Sequence, residues 1–266
     1  MPIPKPSAEQ CPETTSITQD KLKRPVIRKA LYVLFWLVLW QVLSLIVDNN
    51  ILLAGPYESI KALWVLGGTA DFWLSVLYSL LKITLGFLIG LTLGSILAAI
   101  SYRFKFIREF LSPPVSVIKS IPVASFVILV IIWAGAPSLA TVISALVVFP
   151  MVYLNVQSGL DTTPGSLIEM AGLFRFRLTD RIRYIYLPAI RSHLLGAVTI
   201  SSGMAFKSGI AAEVIGRPLH SIGSGLYLSK ISLATDDLFA WTFLAVILSY
   251  LFEKVITCII RRLIAE

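Results

Sequence analysis

Charged residues are scarce in this chain. Asp, Glu, Lys and Arg make up only 14% of the 266 residues, and 56% are hydrophobic. Soluble domains carry charge on about a quarter of their residues, so most of this protein's surface does not face water. The apolar residues also come in long runs without the period of a half-buried helix or strand. Together these features exclude an ordinary soluble domain and predict an integral membrane protein.

Cysteine and histidine are equally rare. The two cysteines are Cys11, in a polar N-terminal tail, and Cys258, in an apolar run, so neither a disulfide framework nor a metal-binding spacing is present. The two histidines, His193 and His220, stand apart without a nucleophile or a metal-ligand pattern. A glycine-rich phosphate-binding loop is also missing. The sequence therefore predicts no catalytic site, no metal site and no cofactor in this chain.

Six apolar runs define the predicted fold. They cover, in order, residues 30–47, 75–101, 116–135, 139–156, 188–214 and 238–260. A bilayer admits only helices or closed barrels, and these runs are too long and too continuous for barrel strands, which alternate over roughly ten residues. We therefore predict an all-α integral membrane protein with six transmembrane helices. Residues 1–28 form a polar tail without packed structure, and residues 29–266 form the transmembrane domain.

The positive charges predict the orientation. The formal net charge is +8, which in a soluble protein would suggest a nucleic-acid partner, but here the charges fall between the apolar runs and we expect no such partner. Lys and Arg concentrate in the tail, between runs two and three, between runs four and five, and at the C-terminal end. By the positive-inside rule these segments are cytoplasmic. Both termini are then cytoplasmic, in a multi-pass protein of a bacterial-type inner membrane.

Glycines and prolines add local predictions. Gly86, Gly90 and Gly94 recur every four residues in the second run, which puts them on one helical face. Small residues on one face let another membrane helix approach closely, so we predict a packing seam there. Pro150 lies inside the fourth run and is expected to kink it, whereas Pro113 and Pro114 are interpreted as loop punctuation.

The most informative segment is the loop at about residues 160–187. Its residues predict a pair of short amphipathic helices with an arginine-rich face. Such a segment can lie on the lipid surface or dock as a helix into a groove of another protein. The residues alone leave these two alternatives open.

This loop resembles the "EAA" loop of the permeases of binding-protein-dependent ABC importers. That pattern is Glu-Ala-Ala, then a glycine, then Ile-x-Leu-Pro, and the chain supplies residues 169–171 and 185–188 at the family's separation. Arg175 takes the place of the central glycine, which leaves the turn free to shift towards Thr179 and Asp180. The resemblance implies that the loop couples to an ATPase through nine residues: Glu169, Met170, Ala171, Gly172, Arg175, Arg177, Ile185, Leu187 and Pro188.

Further motifs are similar to the nitrate, sulfonate and taurine branch of these permeases. They lie at residues 86–94, 121–122, 133–135 and 206–216. The resemblance implies that two permease copies, expected as a homodimer, form the pore within membrane lipid. Cytoplasmic ABC ATPase subunits would bind ATP and Mg, and an extracytoplasmic solute-binding protein would deliver the solute. The implied cargo is a small sulfonate-, taurine- or nitrate-like anion, with a pyrimidine-like or other organic solute as the alternative.

Polar residues inside the apolar runs are candidates for the translocation path. The path candidates are Lys207, Glu213, Ser201, Ser202 and Trp133. Lys207 lies roughly 28 Å along its helix from Pro188, near the predicted outer face, where it could attract an anionic solute or simply extend its ammonium to the interface. For Glu213 the alternative is a place at the helix end. The two serines could line the path or bond to the backbone.

Two other classes of function stay open from the residues. One is a self-sufficient secondary carrier or channel, a class that often shows inverted repeats and broken helices at mid-membrane; we find no convincing repeat. The other is a membrane scaffold that transports nothing. The permease interpretation is preferred because the EAA-like loop has no role in a self-sufficient carrier or channel. Lack of transport despite complex formation would favour the scaffold.

Overall fold

The computed structural model describes residues 17–47, 49 and 51–265. These residues form eleven α-helices and no strand, which confirms the all-α prediction. The helices are α1 Ile17–Val47, α2 Pro56–Gly67, α3 Ala70–Arg103, α4 Lys105–Ser120, α5 Val123–Ala134, α6 Leu139–Asp161, α7 Gly165–Leu173, α8 Leu178–Arg181, α9 Leu187–Gly216, α10 Ile222–Ile231 and α11 Thr235–Ala265.

The chain divides into two compact units, Met1–Tyr57 and Glu58–Glu266. In the first unit α1 begins at Ile17, so the part of the predicted polar tail from residue 17 onward is helical rather than unstructured. The rest of that tail lies outside the described residues. The segment after α1 is held by two hydrogen bonds: Ser44 Oγ donates to the carbonyl of Leu53, and the amide of Tyr57 donates to Gln41 Oε1.

The predicted count of six spans is not confirmed. Among the described residues, four helical segments are long and apolar enough to cross a bilayer, or five if a bent helix pair counts as one span. The four are Ala70–Arg103, Ala136–Asp161, Leu178–Gly216 and Thr235–Leu263. The first predicted run is an apolar helix over Leu31–Val47, about 26 Å long, which is shorter than the roughly 30 Å hydrocarbon core.

The third predicted span is broken rather than straight. Helices α4 and α5 meet at 104°, with Ile121 and Pro122 between them. A residue that precedes proline is pushed into extended backbone, and Ile121 has φ −75° and ψ 134°, so the helix ends there. Pro113 and Pro114 lie inside α4, so the loop interpretation of those two residues is wrong. Helix α6 continues through Pro150.

The centre of the second unit is a three-helix packing of α3, α6 and α9, with α11 against α9. The glycine seam of α3 faces α6. A Cβ at Gly90 would lie 2.7 Å from the carbonyl oxygen of Ala145, one at Gly94 would lie 2.9 Å from that of Phe149, and one at Gly86 would meet the backbone of α6 as well. No Cβ can approach so closely, so these three positions set the distance between α3 and α6.

Hydroxyl groups form hydrogen bonds between these central helices. Thr141 on α6 donates to the carbonyl of Lys82 on α3 at 3.0 Å, and Ser144 on α6 donates to that of Ala205 on α9 at 3.0 Å. Such interhelical hydrogen bonds stabilise membrane helices where apolar burial gives no driving force. The α3–α6–α9 packing is therefore the rigid frame on which the loop of α7 and α8 is mounted.

Candidate functional site

The turn between α7 and α8 has a specific hydrogen-bonded geometry. Arg175 adopts the left-handed conformation with φ 51°. The amide of Phe176 donates to the carbonyl of Ala171 at 3.0 Å, and the amide of Arg175 donates to that of Gly172 at 3.1 Å. These two bonds are the Schellman motif, which ends a helix at a left-handed residue and is most often built on glycine. Arg175 therefore occupies the conformation that the family's central glycine would favour.

The turn does not shift towards Thr179 and Asp180. Thr179 and Asp180 lie within helix α8 instead. Because a non-glycine residue pays roughly 1–2 kcal/mol for the left-handed conformation, the turn needs further contacts. One comes from Arg181, whose Nη2 donates to the carbonyl of Ala171 at 3.2 Å. The Arg181 side chain of α8 thereby stabilises the C-terminal end of α7.

The loop presents an apolar tip. Leu173, Phe174 and Leu178 are 84%, 72% and 71% exposed, and we call these three residues the loop tip. These three are not among the nine coupling residues predicted above, because spacing alone does not distinguish an exposed apolar residue from a buried one. Three large apolar side chains exposed together on a short loop are typical of a surface that binds a partner.

The nine predicted coupling residues surround this tip and support it. Glu169, Met170, Gly172, Arg175, Arg177 and Pro188 are exposed, Leu187 is partly buried, and Ala171 and Ile185 are buried. The buried pair faces inward and fixes α7 and the start of α9. The charges of Glu169, Arg175 and Arg177 flank the apolar residues. The arrangement is an apolar centre with a charged rim, which is the usual composition of a protein interface.

Contacts at both ends attach the loop to the helix bundle. Asp161, the last residue of α6, accepts two hydrogen bonds from the guanidinium of Arg108 on α4, at 3.0 and 2.8 Å. The rings of Tyr102 on α3 and Tyr186 pack edge to face at 5.7 Å. After α8 the chain passes through a π-helical turn, Ile182–Tyr186, into α9, so one helical segment runs over Leu178–Gly216. A displacement of the loop would therefore be transmitted directly to α9.

The five path candidates are not brought together. Ser201 and Ser202 are fully buried, and their hydroxyls donate to backbone carbonyls of their own helix, at 3.5 Å to Val198 and 3.0 Å to Thr199. Of the two alternatives for these serines, the structure has backbone bonding. Lys207 lines an open cleft between α9 and α11. Trp133 is exposed in the last turn of α5.

Glu213 has a role that the sequence did not indicate. Its side chain is fully buried, and Oε2 accepts hydrogen bonds from Ser79 Oγ at 2.7 Å and from the amide of Gly223 at 3.2 Å. Ser79 Oγ also accepts from the amide of Ile222 at 3.0 Å. Both amides belong to the first turn of α10, whose donors lack partners within the helix. Glu213 thus joins α9, α3 and α10, and a contact between residues so distant in sequence leaves no signal in spacing.

A cavity of about 320 Å³ lies at the break between α4 and α5. Its lining is mostly apolar and comes from α4, α5, α6 and Met204 of α9. Lys119 and Asn155 supply the polar groups. A broken helix at membrane depth is tolerated where it lines a cavity or is buried in protein, so this break is a second candidate for the translocation path that the sequence analysis missed.

The sequence of this chain matches one protein family and several known proteins. The family model for the binding-protein-dependent transport system inner membrane component matches residues 90–266. The chain is 23% identical over 230 residues to the putative aliphatic sulfonates transport permease protein SsuC of Bacillus subtilis, covering 86% of this chain and 83% of that protein. It is 22% identical over 255 residues to the nitrate import permease protein NrtB of Synechococcus elongatus, covering 85% and 91%. It is 28% identical over 149 residues to the riboflavin transport system permease protein RibX of Chloroflexus aurantiacus, covering 53% and 56%.

Proposed function

Because the chain belongs to the family of binding-protein-dependent transport system inner membrane components, and is the permease subunit of an ABC importer, we propose that the α7–α8 loop is where a partner ATPase drives transport. The permease itself is a non-catalytic component. The observation that carries the proposal is the loop tip, which exposes Leu173, Phe174 and Leu178 on a loop continuous with α9. ATP and Mg bind to the ATPase, not to this chain.

Burial of the loop tip supplies the affinity in this proposal. Full burial of a Leu or Phe side chain contributes about 1.5–3 kcal/mol. Because the three side chains are 71–84% exposed, the area that remains to be buried offers together roughly 3–7 kcal/mol to a groove that covers them. Glu169, Arg175 and Arg177 form the charged rim, which favours the correct orientation and raises the association rate. Ala171 and Ile185 contribute indirectly, because they hold the loop in the docked shape.

The loop end of the bundle is then cytoplasmic. The positive-inside distribution of Lys and Arg supports this orientation. In the proposal α1 is a sixth span, so that both termini lie on the same side as the ATPase. When the two ATPase subunits close upon ATP binding, they displace the loop. Helix α9 moves with the loop because α8 and α9 belong to one helical segment. The permease alternates between two conformations whose populations the nucleotide and the solute-binding protein shift.

A second copy of this chain completes the pore in our proposal. The cavity at the α4–α5 break and the residues Lys119 and Asn155 lie on the translocation path, and Trp133 lies beside its outer end. The cargo is a small anion of the sulfonate, taurine or nitrate type. Relatives whose names specify aliphatic sulfonates and nitrate support this class, although one relative is named for riboflavin, which keeps an organic solute as the alternative.

The test is co-purification in detergent from membranes. The wild-type chain is compared with a variant that carries Phe174→Ala and Leu178→Ala, and with the matched control Leu219→Ala, whose side chain is 84% exposed but lies outside the loop. We expect an ATPase to co-purify with the wild type and the control and to be lost from the tip variant. Retention of the ATPase by the tip variant, or solute transport by the purified chain alone, would overturn the proposal.

A further inference from the structure

Two opposite charges face one cleft inside the membrane-spanning helices. Lys207 of α9 and Glu253 of α11 both line an open cleft of about 470 Å³ between these helices. They are the only charged residues in its lining, which otherwise consists of apolar side chains, hydroxyl groups and Tyr250. An ionisable residue in a membrane span is costly unless it has a partner or faces water. Each of the two residues is therefore stabilised in the bilayer by water in the cleft or by an opposite charge, and each offers the other that opposite charge.

Both residues lie well inside their spans. Glu253 is about 27 Å from the Thr235 end of α11 and about 15 Å from Leu263, within the segment Thr235–Leu263. Lys207 is about 14 Å from the Gly216 end of α9, within Leu178–Gly216.

Contacts along the interface show that α9 and α11 run antiparallel. Thr199 faces Thr257, with their hydroxyl oxygens 3.4 Å apart, and seven residues further along α9 the ring of Phe206 packs on Phe252 at 5.8 Å. Side chains on a helix lean towards its N-terminus. Because the two helices are antiparallel, the Lys207 side chain leans along the axis towards the height of Glu253, and the Glu253 side chain leans towards the height of Lys207.

The carboxyl group of Glu253 lies beside Gly203 of α9, within reach of Lys207. A Cβ placed on Gly203 would lie 3.4 Å from Glu253 Oε2. Lys207 follows Gly203 by one helical turn on the same face, about 6 Å along the axis. The flexible four-carbon stem of lysine spans such a distance. The ammonium and the carboxylate can thus meet by rotation of side chains, without movement of either helix.

Competing partners are absent near the cleft. Among the described residues the one ion pair joins Arg108 to Asp161. Lys207 and Glu253 therefore form no ion pair in this structure, either with each other or with another described residue. Lys254, the neighbour of Glu253, lies with its ammonium 5.4 Å from the ring of Tyr250 and does not line the cleft.

We propose that Lys207 and Glu253 form an ion pair across the α9–α11 cleft in the bilayer, in which Glu253 is the positioning residue that holds the Lys207 ammonium. The pair connects α11 to the helix that continues from the loop, so that α9 and α11 move together. Lys207 then serves helix coupling, and its charge is neutralised by this chain rather than by a solute. The inference depends on the α9–α11 geometry alone and does not require the ATPase proposal.

The direct test is zero-length cross-linking of the wild-type chain in nanodiscs with a membrane-permeant carbodiimide. The reagent activates the Glu253 carboxyl group, the Lys207 amine attacks it to form an amide, and the carbodiimide leaves as a urea. We expect mass spectrometry to find a peptide that joins residues 207 and 253, absent from Glu253→Gln. Modification of Glu253 as an acylurea without linkage to Lys207 would overturn the proposal.

A charge swap tests the interaction energetically. Lys207→Glu and Glu253→Lys are each expected to lower the folded-to-unfolded ratio at least tenfold in nanodiscs, and the double variant should recover most of that loss. Lys254→Glu, which makes the same substitution as Lys207→Glu at the sequence neighbour of Glu253 but outside the cleft, should have little effect. Losses that simply add in the double variant would contradict the pair. Because this readout needs only the permease chain, failure here leaves the ATPase proposal untouched.

Discussion

Replacement of Arg175 by glycine should stabilise the coupling loop. Arg175 sits at φ 51° in the turn after α7, a conformation that costs a residue with a Cβ roughly 1–2 kcal/mol. Glycine removes that penalty but loses about 0.5–1 kcal/mol more backbone entropy on folding. The net gain is about 1 kcal/mol, which corresponds to a roughly fivefold change in the local opening equilibrium. Arg175→Ala retains the Cβ, removes the same guanidinium and is the matched control.

Hydrogen–deuterium exchange of the loop measures this effect. The amides of Arg175 and Phe176 close the turn at 3.1 and 3.0 Å, so their exchange reports local opening. We expect roughly fivefold slower exchange in Arg175→Gly than in Arg175→Ala, with no change in α6. Equal exchange in the two variants would refute the conclusion that left-handed strain resides at Arg175.

Three further predictions concern the helix bundle and its attachment to the loop. Gly90→Ala should destabilise the α3–α6 packing by about 1–3 kcal/mol. Gly196→Ala, whose Cβ meets no atom within 4 Å, should not. Thermal unfolding in nanodiscs compares the two variants, and equal unfolding midpoints would contradict a packing seam at Gly90. Glu213→Ala should lose about 1–3 kcal/mol because the Ser79 hydroxyl and the Gly223 amide lose their buried acceptor, while Glu213→Gln keeps an acceptor oxygen. Equal losses in the two variants would show that these hydrogen bonds do not matter. Arg108→Ala should lower the free energy of unfolding by less than about 1 kcal/mol, and by less still at high salt, since its ion pair with Asp161 is exposed. A large loss of stability that does not depend on salt would show that the contact is buried in the assembly.

The fold was predictable where a pattern follows from one local rule. Apolar runs without strand alternation predicted the all-α class, and the four-residue spacing of Gly86, Gly90 and Gly94 placed them on one face before α6 was known as their neighbour. The span count was harder. Hydropathy reports how apolar a segment is but not whether it is straight, and the prolines at 113 and 114 gave the wrong signal because a helix can include them.

The site was predictable in position but not in shape. The motif located the loop, yet the presence of Arg175 suggested a shifted turn, because sequence rules assign the left-handed conformation to glycine. The hydrogen bonds of the Schellman motif, with the added bond from Arg181, keep the turn in place. The roles of Glu213 and Glu253 depend on contacts between helices far apart in the sequence, and one sequence alone does not record such contacts.

Docking of the loop tip onto an ATPase can be detected by site-specific photo-cross-linking. Phe174→Cys, and Leu219→Cys as the control, are labelled with a photoreactive group in membrane vesicles, and adducts are identified by mass spectrometry. We expect Phe174→Cys to capture a protein with a phosphate-binding loop of the Gly-x-x-x-x-Gly-Lys-Ser/Thr type, and Leu219→Cys not to capture it. Adducts of Phe174→Cys with lipid alone, or the same ATPase captured equally from both positions, would contradict this docking.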